Sequence, residues 1–363
     1  MRHQTTGVIL RTSASESEES RLGEEILPPH QVRGQDDAAT NFCYHLCMIL
    51  VISSKKVYAA KRLKKEAAIA NCGLRIMDMQ DLVNCNFKID LKKFDVLYIR
   101  DPYLKGNAEY LPQIIKLAKR FKAAGKKVVD SAIADGELGQ GKWADYQQLQ
   151  KADLPIPKTH LLSGYLLPPT RLDSAARLVF ARAKRVEPRR TSYPLVLKWT
   201  YGFKAKNVFL IKNQGQLKKI LPLHSKKEWL VQEFIQADYE YKVITVGYKA
   251  LPIILRFKIK DGGFRTDFSS HSVILNPKCY SRGEESLYKD EILRSAQDDA
   301  IKEVAKLAES ASRLLKRELA KVDILEAKGK FYILEVNRFP GLKSFEEMTK
   351  FNVVKAFLGY LQK

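Results

Sequence analysis

The sequence predicts an α/β fold that begins with a parallel-sheet domain, and two observations support this. From Met48 onward, short apolar segments alternate with amphipathic ones: strand candidates at 48–53, 74–77, 94–99 and 127–129, and helix candidates at 58–70 and 109–124. Strands that alternate with helices favour a parallel sheet. In the second half, strand candidates follow one another through short links that suit an antiparallel sheet: 195–198, 208–211, 229–234, 241–246 and 253–258.

Composition indicates a multidomain globular protein of the cytoplasm. The chain has 363 residues with 45% hydrophobic content, enough for two or three domains. Its five cysteines form no C-x-x-C pair, which argues against a disulfide framework or a zinc site and favours a reducing compartment. No apolar run approaches the roughly 20 residues that span a bilayer, so no membrane partner is expected.

The net charge of +22 raises the question of anionic partners. The basic runs, such as 61–65 and 116–127, have the pattern of polar helix faces, and no helix-turn-helix, zinc-finger or aromatic RNA-binding motif accompanies them. Specific nucleic-acid binding is therefore not expected, whereas non-specific attraction to RNA is easier to explain.

Two segments look foreign to the rest of the chain. Residues 1–47 are rich in Ser, Glu and Gln, and several of their short motifs reappear in order near 273–300, for example Val8-Ile9-Leu10 as Val273-Ile274-Leu275. Both segments resemble translated copies of a dispersed bacterial repeat element. We therefore predict a disordered extension at 1–47 and an insertion at about 272–299.

The stretch 322–342 reads as a β-hairpin turning at Lys328-Gly329. Asp323 interrupts the apolar pattern of the first strand, while Glu335 and Asn337 lie two apart on the second and share a face. Two carboxylates and an amide suit Mg²⁺, which takes oxygen ligands and keeps several waters. A two-residue turn would pair Asp323 with Leu334, so Asp323 meets Glu335 only with an odd loop or a bulge. A solvated acidic hairpin is the alternative.

A second candidate feature is the loop at 201–207, which follows an apolar strand ending in Lys198 and contains Gly202 and two further lysines. Glycine lets backbone amides approach phosphate oxygens, and lysine supplies a positive charge for them. The pattern also fits an ordinary basic turn.

Taken together, the motifs resemble the ATP-grasp superfamily, and within it the RimK-type amino-acid ligases. The matching segments are Gly141-Lys142, 195–208, V-Q-E-F-I at 231–235, and V-D-I with L-E-V-N-x-x-P-G-L at 322–342. The resemblance covers about 48–345 outside the repeat. It implies a pre-ATP-grasp domain at 48–141, a small lobe at 142–228 and a large lobe at 229–363.

The resemblance also implies roles for individual residues. Lys142, Lys198 and Gly202 would contact ATP phosphates, and Gln232, Glu233, Phe234 and Ile235 would form the hinge against adenine. Glu240, with Asp238 as the alternative, would take the ribose hydroxyls. Asp323, Glu335 and Asn337 would hold Mg²⁺, or Mn²⁺ in its place. Arg256 would face the transferred phosphoryl group with Lys198, and Arg265 and Asp267 match a substrate-side motif that also reads as an exposed turn.

The implied activity is ATP-dependent joining of an amino acid, such as glutamate, to a carboxylate of a protein or small molecule through an acyl phosphate. The chain departs from the family where Ala205 and Asn207 replace glycines of the phosphate loop. Asn tolerates the left-handed backbone conformation, and Ala does so less well. The alternative interpretation is a nucleotide-binding or ribosome-associated protein that kept the fold without turnover.

Overall fold

A computed structural model of the chain describes residues 47–100, 109–138, 141–162, 193–201, 207–221, 228–259, 271–275 and 297–363. The strands are β1 Met48–Ile52, β2 Gly73–Met77, β3 Val96–Ile99, β4 Lys127–Val129, β5 Thr159–Leu162, β6 Leu195–Trp199, β7 Val208–Ile211, β8 Trp229–Glu233, β9 Tyr239–Val246, β10 Lys249–Lys258, β11 His271–Leu275, β12 Leu319–Ala327 and β13 Lys330–Asn337. The helices are α1 Tyr58–Ile69, α2 Met79–Asn84, α3 Leu111–Ala123, α4 Ser131–Ala134, α5 Gly141–Lys151, α6 Gln214–Ile220, α7 Gln297–Leu314, α8 Leu342–Thr349 and α9 Val353–Leu361. In this part of the chain no helix is long and apolar enough to cross a membrane.

The first sheet is parallel, with strand order β2-β1-β3-β4. Strands β1 and β3 are buried on both faces, because consecutive residues point to opposite sides of a sheet and nearly all residues of these two strands are buried. One face of β1 packs with α1 and also with α8 and α9, whereas the other packs against α3. The predicted parallel sheet is therefore confirmed, and its β1 strand is covered by helices from both ends of the described chain.

The second sheet is antiparallel, with order β5-β8-β6-β7. Leu195, Leu197 and Val231 share the face that packs against α6. The opposite face carries Lys198 on β6 and Gln232 on β8, because each lies one residue from those apolar positions. This sheet therefore presents one apolar face and one face with buried polar groups.

The third sheet is also antiparallel, with order β11-β10-β9-β12-β13. Helix α7 packs on one face, against Tyr241, Val322, Ile324 and Ile333 among others. The predicted mixture of parallel and antiparallel sheets is what the structure contains. The residues packed under α7 include the apolar positions of the predicted hairpin.

Three predicted boundaries differ from the structure. The apolar stripe between Ala300 and Leu319 predicts a helix over that whole stretch, but the helix ends at Leu314, because Lys316 adopts a left-handed φ of 50° and Leu319 begins β12. The boundary predicted between 228 and 229 separates β8 from β5 and β6, the strands with which it pairs. The predicted insertion at about 272–299 overlaps β11, where Ser272 to Leu275 pair with β10, and also the first residues of α7.

Candidate active site

The hairpin of β12 and β13 carries the predicted metal ligands in the register that a bulge allows. Ala327 pairs with Lys330 across the two-residue turn, yet Asp323 pairs with Glu335, because the pairing shifts between Ile324 and Asp323. Leu334 is the extra residue of this β-bulge. Paired residues share a face of the sheet, so the bulge sets Glu335 directly opposite Asp323.

Asn337 completes this group. Its Nδ2 donates a hydrogen bond of 2.9 Å to Asp323 Oδ2. Asp323 is only 7% exposed, and its Oδ1 is buried without a hydrogen bond to any described residue. The same oxygen lies 3.3 Å from Lys321 Nζ and 3.8 Å from Lys242 Nζ. A buried carboxylate oxygen that lacks a hydrogen-bond donor is suited to a cation.

Two lysines from other elements reach this group. Lys142, in the first turn of α5, places Nζ 2.9 Å from Glu335 Oε1. Its backbone N–H donates to Thr200 O at 3.1 Å, which ties α5 to the end of β6. Gly141 allows that approach, since a Cβ there would lie 2.8 Å from Thr200 Cγ2. Lys198 is 7% exposed on β6.

The electrostatics of Lys198 reflect its burial. Its pKa is lowered to about 8, chiefly by burial; the negative charge of Glu335 opposes this effect, and the positive charge of Lys142 adds to it. The Lys198 ammonium group loses its proton easily in the free protein, and a bound anion would stabilise the charged form. Lys198 is therefore placed to respond to a phosphate.

Lys242 is a member of the site that the sequence analysis missed. It lies on β9 between two carboxylates, with Nζ 2.7 Å from Glu240 Oε1 and 3.8 Å from Asp323 Oδ1. Burial opposes its charge, but Asp323 and Glu240 outweigh that effect and raise its pKa. Lys242 could have been recognised from its position opposite Asp323 on the neighbouring strand, but that position is known only once the sheet register is known.

Glu240 lies on the same face as this group. It is 6% exposed, and burial raises its pKa despite the opposing charge of Lys242. The structure thus brings Glu240 together with the predicted metal ligands. In the described chain its hydrogen-bond partner is Lys242.

The predicted hinge connects β8 with β9. Gln232 is 1% exposed and its Nε2 donates to Thr159 Oγ1 at 2.8 Å. Glu233 is exposed, and its backbone N–H donates to Lys158 O at 2.8 Å. Phe234 and Ile235 follow in the half-buried link to β9. The segment therefore lies at the junction between the second and third sheets, as a hinge requires.

Arg256 does not join this group, which contradicts its predicted role against the phosphoryl group. It pairs with Tyr241, whereas the neighbouring Leu255 pairs with Lys242. Because adjacent strand residues point to opposite faces, Arg256 lies on the face away from Asp323. Its guanidinium stacks 3.5 Å from the ring centroid of Tyr239. The sequence motif lacked the register information that decides the face.

Three predicted residues, Gly202, Arg265 and Asp267, lie outside the described residues. Asn207, the last residue of the predicted phosphate loop, has a φ of 59°. This is the left-handed conformation that asparagine tolerates better than most residues.

Tyr146 is a second residue that the sequence analysis missed. It is 3% exposed on α5, one turn after Lys142, and its hydroxyl donates to Leu334 O at 2.5 Å. The Gln232 side chain also interacts with this hydroxyl. Burial and the nearby Glu335 raise the pKa of Tyr146, so its hydroxyl remains a donor at neutral pH.

The donor set fits a divalent cation. Among the described residues no three His, Cys, Asp or Glu side chains form a metal cluster. Asp323, Glu335 and Asn337 instead offer two carboxylates and one amide, with the Oδ1 of Asp323 lacking a hydrogen bond. Such a partial set is typical of metals that bind together with a nucleotide and water.

Comparison with known proteins agrees with this geometry. A family model described as a RimK-like ATP-grasp domain matches residues 140–276 and 290–361. A curated relative, the probable alpha-L-glutamate ligase of Legionella pneumophila strain Corby, is 22% identical over 328 residues, which cover 86% of this chain and 94% of that protein.

Solved structures show the same fold. The ATP-grasp ligase PsnB complexed with minimal precursor has a TM-score of 0.59 at 14% identity, covering 87% of this chain and 98% of that one. PsnB complexed with minimal precursor, Mg and ADP has a TM-score of 0.54 at 16% identity, covering 87% and 97%.

Together with these matches, the three sheets and the lysines beside paired carboxylates place the chain in the class of ATP-dependent ligases that form C–N bonds. The chain belongs to the RimK-like ATP-grasp family, since the family model matches more than half of it. It is accordingly an ATP-dependent carboxylate–amine ligase.

Proposed function

We propose that this protein joins the amino group of an amino acid such as glutamate to a carboxylate of a protein or small molecule, in the cytoplasm. The relatives named as probable alpha-L-glutamate ligases support the amino acid. The PsnB complexes with a minimal precursor support a peptide-like acceptor. ATP and these two substrates are the proposed partners.

One observation carries the proposal most directly. Lys142 from α5 and Glu335 from β13 meet at 2.9 Å, and the charges of both act on the buried Lys198 of β6. Four ammonium groups and three carboxylates converge there: Lys142, Lys198, Lys242, Lys321, Glu240, Asp323 and Glu335. Such a mixture of charges suits a triphosphate with a divalent cation better than either ion alone.

The reaction proceeds in two displacements. A carboxylate oxygen attacks the γ-phosphorus of ATP, the bond to the β–γ bridging oxygen breaks, and ADP leaves. The amine nitrogen then attacks the acyl carbon, inorganic phosphate leaves, and the nitrogen loses a proton. Lys198 and Lys142 hold the phosphate oxygens in this scheme, and their positive charges stabilise the charge that develops during transfer. No side-chain nucleophile is required.

The cation that we propose is Mg²⁺, with Mn²⁺ able to replace it. Asp323, Glu335 and Asn337 would hold it, and the buried Asp323 Oδ1, which accepts no hydrogen bond although Lys321 Nζ and Lys242 Nζ lie 3.3 and 3.8 Å away, would be one of the ligand oxygens. When bound, it offsets the negative charge of the β- and γ-phosphates. Glu335 would then exchange Lys142 for the metal, which releases the Lys142 ammonium to contact phosphate.

The test combines ADP release with chemical trapping. Wild-type protein is incubated with ATP, Mg²⁺ and pools of amino acids and short peptides that end in glutamate, and ADP is measured. Parallel reactions contain hydroxylamine, which replaces the amine and converts an acyl phosphate to a hydroxamate. Glu335→Gln serves as the inactive control.

We expect one pool to stimulate ADP release and to give a hydroxamate only with wild-type protein. A protein that binds ATP by calorimetry, yet shows neither stimulation nor hydroxamate with any pool, would be a nucleotide-binding protein without ligase activity.

A further inference from the structure

Strand β13 lies at the edge of the third sheet, and α5 with the loop after it covers that edge. An exposed edge strand would offer unpaired backbone groups. Four consecutive residues of β13 make these contacts. Ile333 N–H donates to Pro155 O at 2.7 Å, and the Tyr146 hydroxyl donates to Leu334 O at 2.5 Å. Lys142 forms an ion pair with Glu335 at 2.9 Å, and Val336 O accepts at 2.6 Å from Arg317, which is itself paired with Asp145 of α5.

The Tyr146 contact falls on the residue that determines the register. Leu334 has no opposite residue on β12 in the observed pairing. A bulge leaves backbone groups of its extra residue outside the ladder, and those groups need another partner when buried. Moving the bulge by one residue toward the end of β13 would turn Glu335 to the other face.

We propose that Tyr146 is a positioning residue whose hydroxyl fixes the bulge at Leu334 and so holds Glu335 opposite Asp323. This inference rests on the proposed function, because the pair matters for catalysis only if it binds the metal and nucleotide. Tyr146 acts through the backbone and does not touch the reacting atoms. Its contact with Gln232 joins the same hydroxyl to the hinge strand.

Tyr146→Phe isolates this role, since it removes one oxygen and keeps the ring that fills the space. Tyr241→Phe is the matched control. Its hydroxyl donates to Glu326 Oε2 at 2.6 Å in the same sheet, and its side chain lies on the face opposite Asp323. Both variants lose one hydrogen bond from a buried tyrosine, but only Tyr146 contacts the bulge.

The first measurement is hydrogen exchange of the nucleotide-free protein, followed by mass spectrometry. In Tyr146→Phe we expect the amides of 333–337 to exchange roughly tenfold faster than in wild type, because a buried hydrogen bond that pins them is lost. In Tyr241→Phe the same amides should exchange within about twofold of wild type. This measurement does not depend on catalysis.

The second measurement is the affinity for Mn²⁺ in the presence of the non-hydrolysable ATP analogue AMP-PNP, followed by the paramagnetic signal of free Mn²⁺. We expect Tyr146→Phe to weaken Mn²⁺ binding roughly fivefold to tenfold. Tyr241→Phe should bind Mn²⁺ with wild-type affinity, even if the two substitutions lower the melting temperature by similar amounts. A purely structural role for Tyr146 would not separate the variants in this way.

Exchange at 333–337 that matches wild type in Tyr146→Phe would overturn the proposal, and so would faster exchange with unchanged Mn²⁺ affinity. If wild-type protein binds no Mn²⁺ with the analogue, the proposed function fails. The exchange measurement would then still decide whether Tyr146 fixes the register.

Deleting Leu334 provides an independent check. The deletion removes the bulge but keeps Ile333 opposite Ile324 and Glu335 opposite Asp323 in a regular ladder. In that background Tyr146→Phe should change Mn²⁺ affinity by less than about twofold. A further fivefold loss of Mn²⁺ affinity would show that the hydroxyl does not act through the bulge. If the shortened chain does not fold, the measurements on Tyr146→Phe in the full-length chain decide the proposal.

Discussion

Lys142 and Glu335 neutralise each other in the nucleotide-free protein, with Nζ and Oε1 2.9 Å apart across the junction of α5 and β13. Lys142 is also a candidate ligand for phosphate, and Glu335 is a candidate ligand for the metal. Binding of a metal–nucleotide complex would therefore exchange one internal ion pair for two external ones. The pair is partly exposed, so breaking it costs little.

The first prediction concerns the metal ligands. Glu335→Gln and Asp323→Asn should each lower turnover roughly 100-fold or more at saturating ATP, because a neutral amide offsets less cationic charge. Melting temperatures should change little for Glu335→Gln, whose ion pair is partly exposed. Turnover is measured by ADP release over a magnesium series; equal activity of Glu335→Gln and wild type at every concentration would remove Glu335 from the site.

The second prediction concerns Lys198. Replacing it with methionine should weaken ATP binding roughly 10-fold to 100-fold, because methionine cannot replace a charge-assisted contact to phosphate. Gln232→Ala, at the hinge, should be milder, since the hinge is expected to contact adenine through its backbone. Calorimetry decides: unchanged affinity in Lys198→Met would contradict the nucleotide assignment.

The third prediction concerns pH. Because the free protein holds the pKa of Lys198 at about 8, the side chain is largely neutral at pH 9. A bound triphosphate favours the ammonium form and raises that pKa, so ATP binding at pH 9 should take up close to one proton, and affinity should fall as pH rises above 8. Calorimetry in two buffers of different ionisation enthalpy measures this uptake, which Lys198→Met should lack.

The fourth prediction follows from the face on which Arg256 lies. Arg256→Met should leave the KM for ATP and kcat within about twofold of wild type. It should lower stability by about 0.5–1 kcal/mol through loss of stacking on Tyr239. Steady-state kinetics and thermal unfolding test the two expectations. A large decrease in kcat would show that Arg256 takes part in catalysis.

The fifth prediction concerns the repeat. A chain in which residues 276–296 are replaced by a short Gly/Ser link should fold and keep its activity, because the link preserves both β11 and α7. Removing 272–299 instead should lower the melting temperature, since it deletes Ile274, which packs in the core under α7. Circular dichroism and ADP release compare the two chains.

The sequence was most informative where chemistry and periodicity coincided. The parallel sheet and the hairpin followed from apolar alternation, whereas Lys142 was identified only through the resemblance to the ATP-grasp superfamily, and its ion pair with Glu335 was not predicted. The positions of polar residues within strands identified Asp323 and Glu335 as functional candidates, because burying a carboxylate is costly unless it is paired or binds a cation.

What the sequence could not determine was register. A shift of one residue decides which face a strand residue occupies, and this is why Arg256 was misplaced while Asp323 and Glu335 needed a bulge to meet. Lys242 and Tyr146 were missed for a related reason. Their partners are distant in the chain, and a lysine on a strand or a tyrosine on a helix has no local pattern that reveals them.

The covering of β1 and α1 by α8 and α9 bears on how the protein is made. Tyr58, in α1, donates to Glu346 in α8 across 288 residues of sequence, and Tyr146 reaches Leu334 across 188. During synthesis on the ribosome, the N-terminal sheet therefore emerges long before the helices that shield one of its faces. Neither the shielding by α8 and α9 nor the contact of Tyr146 with Leu334 can form until those later elements have been translated, so the N-terminal sheet is exposed to chaperones and to aggregation during that interval.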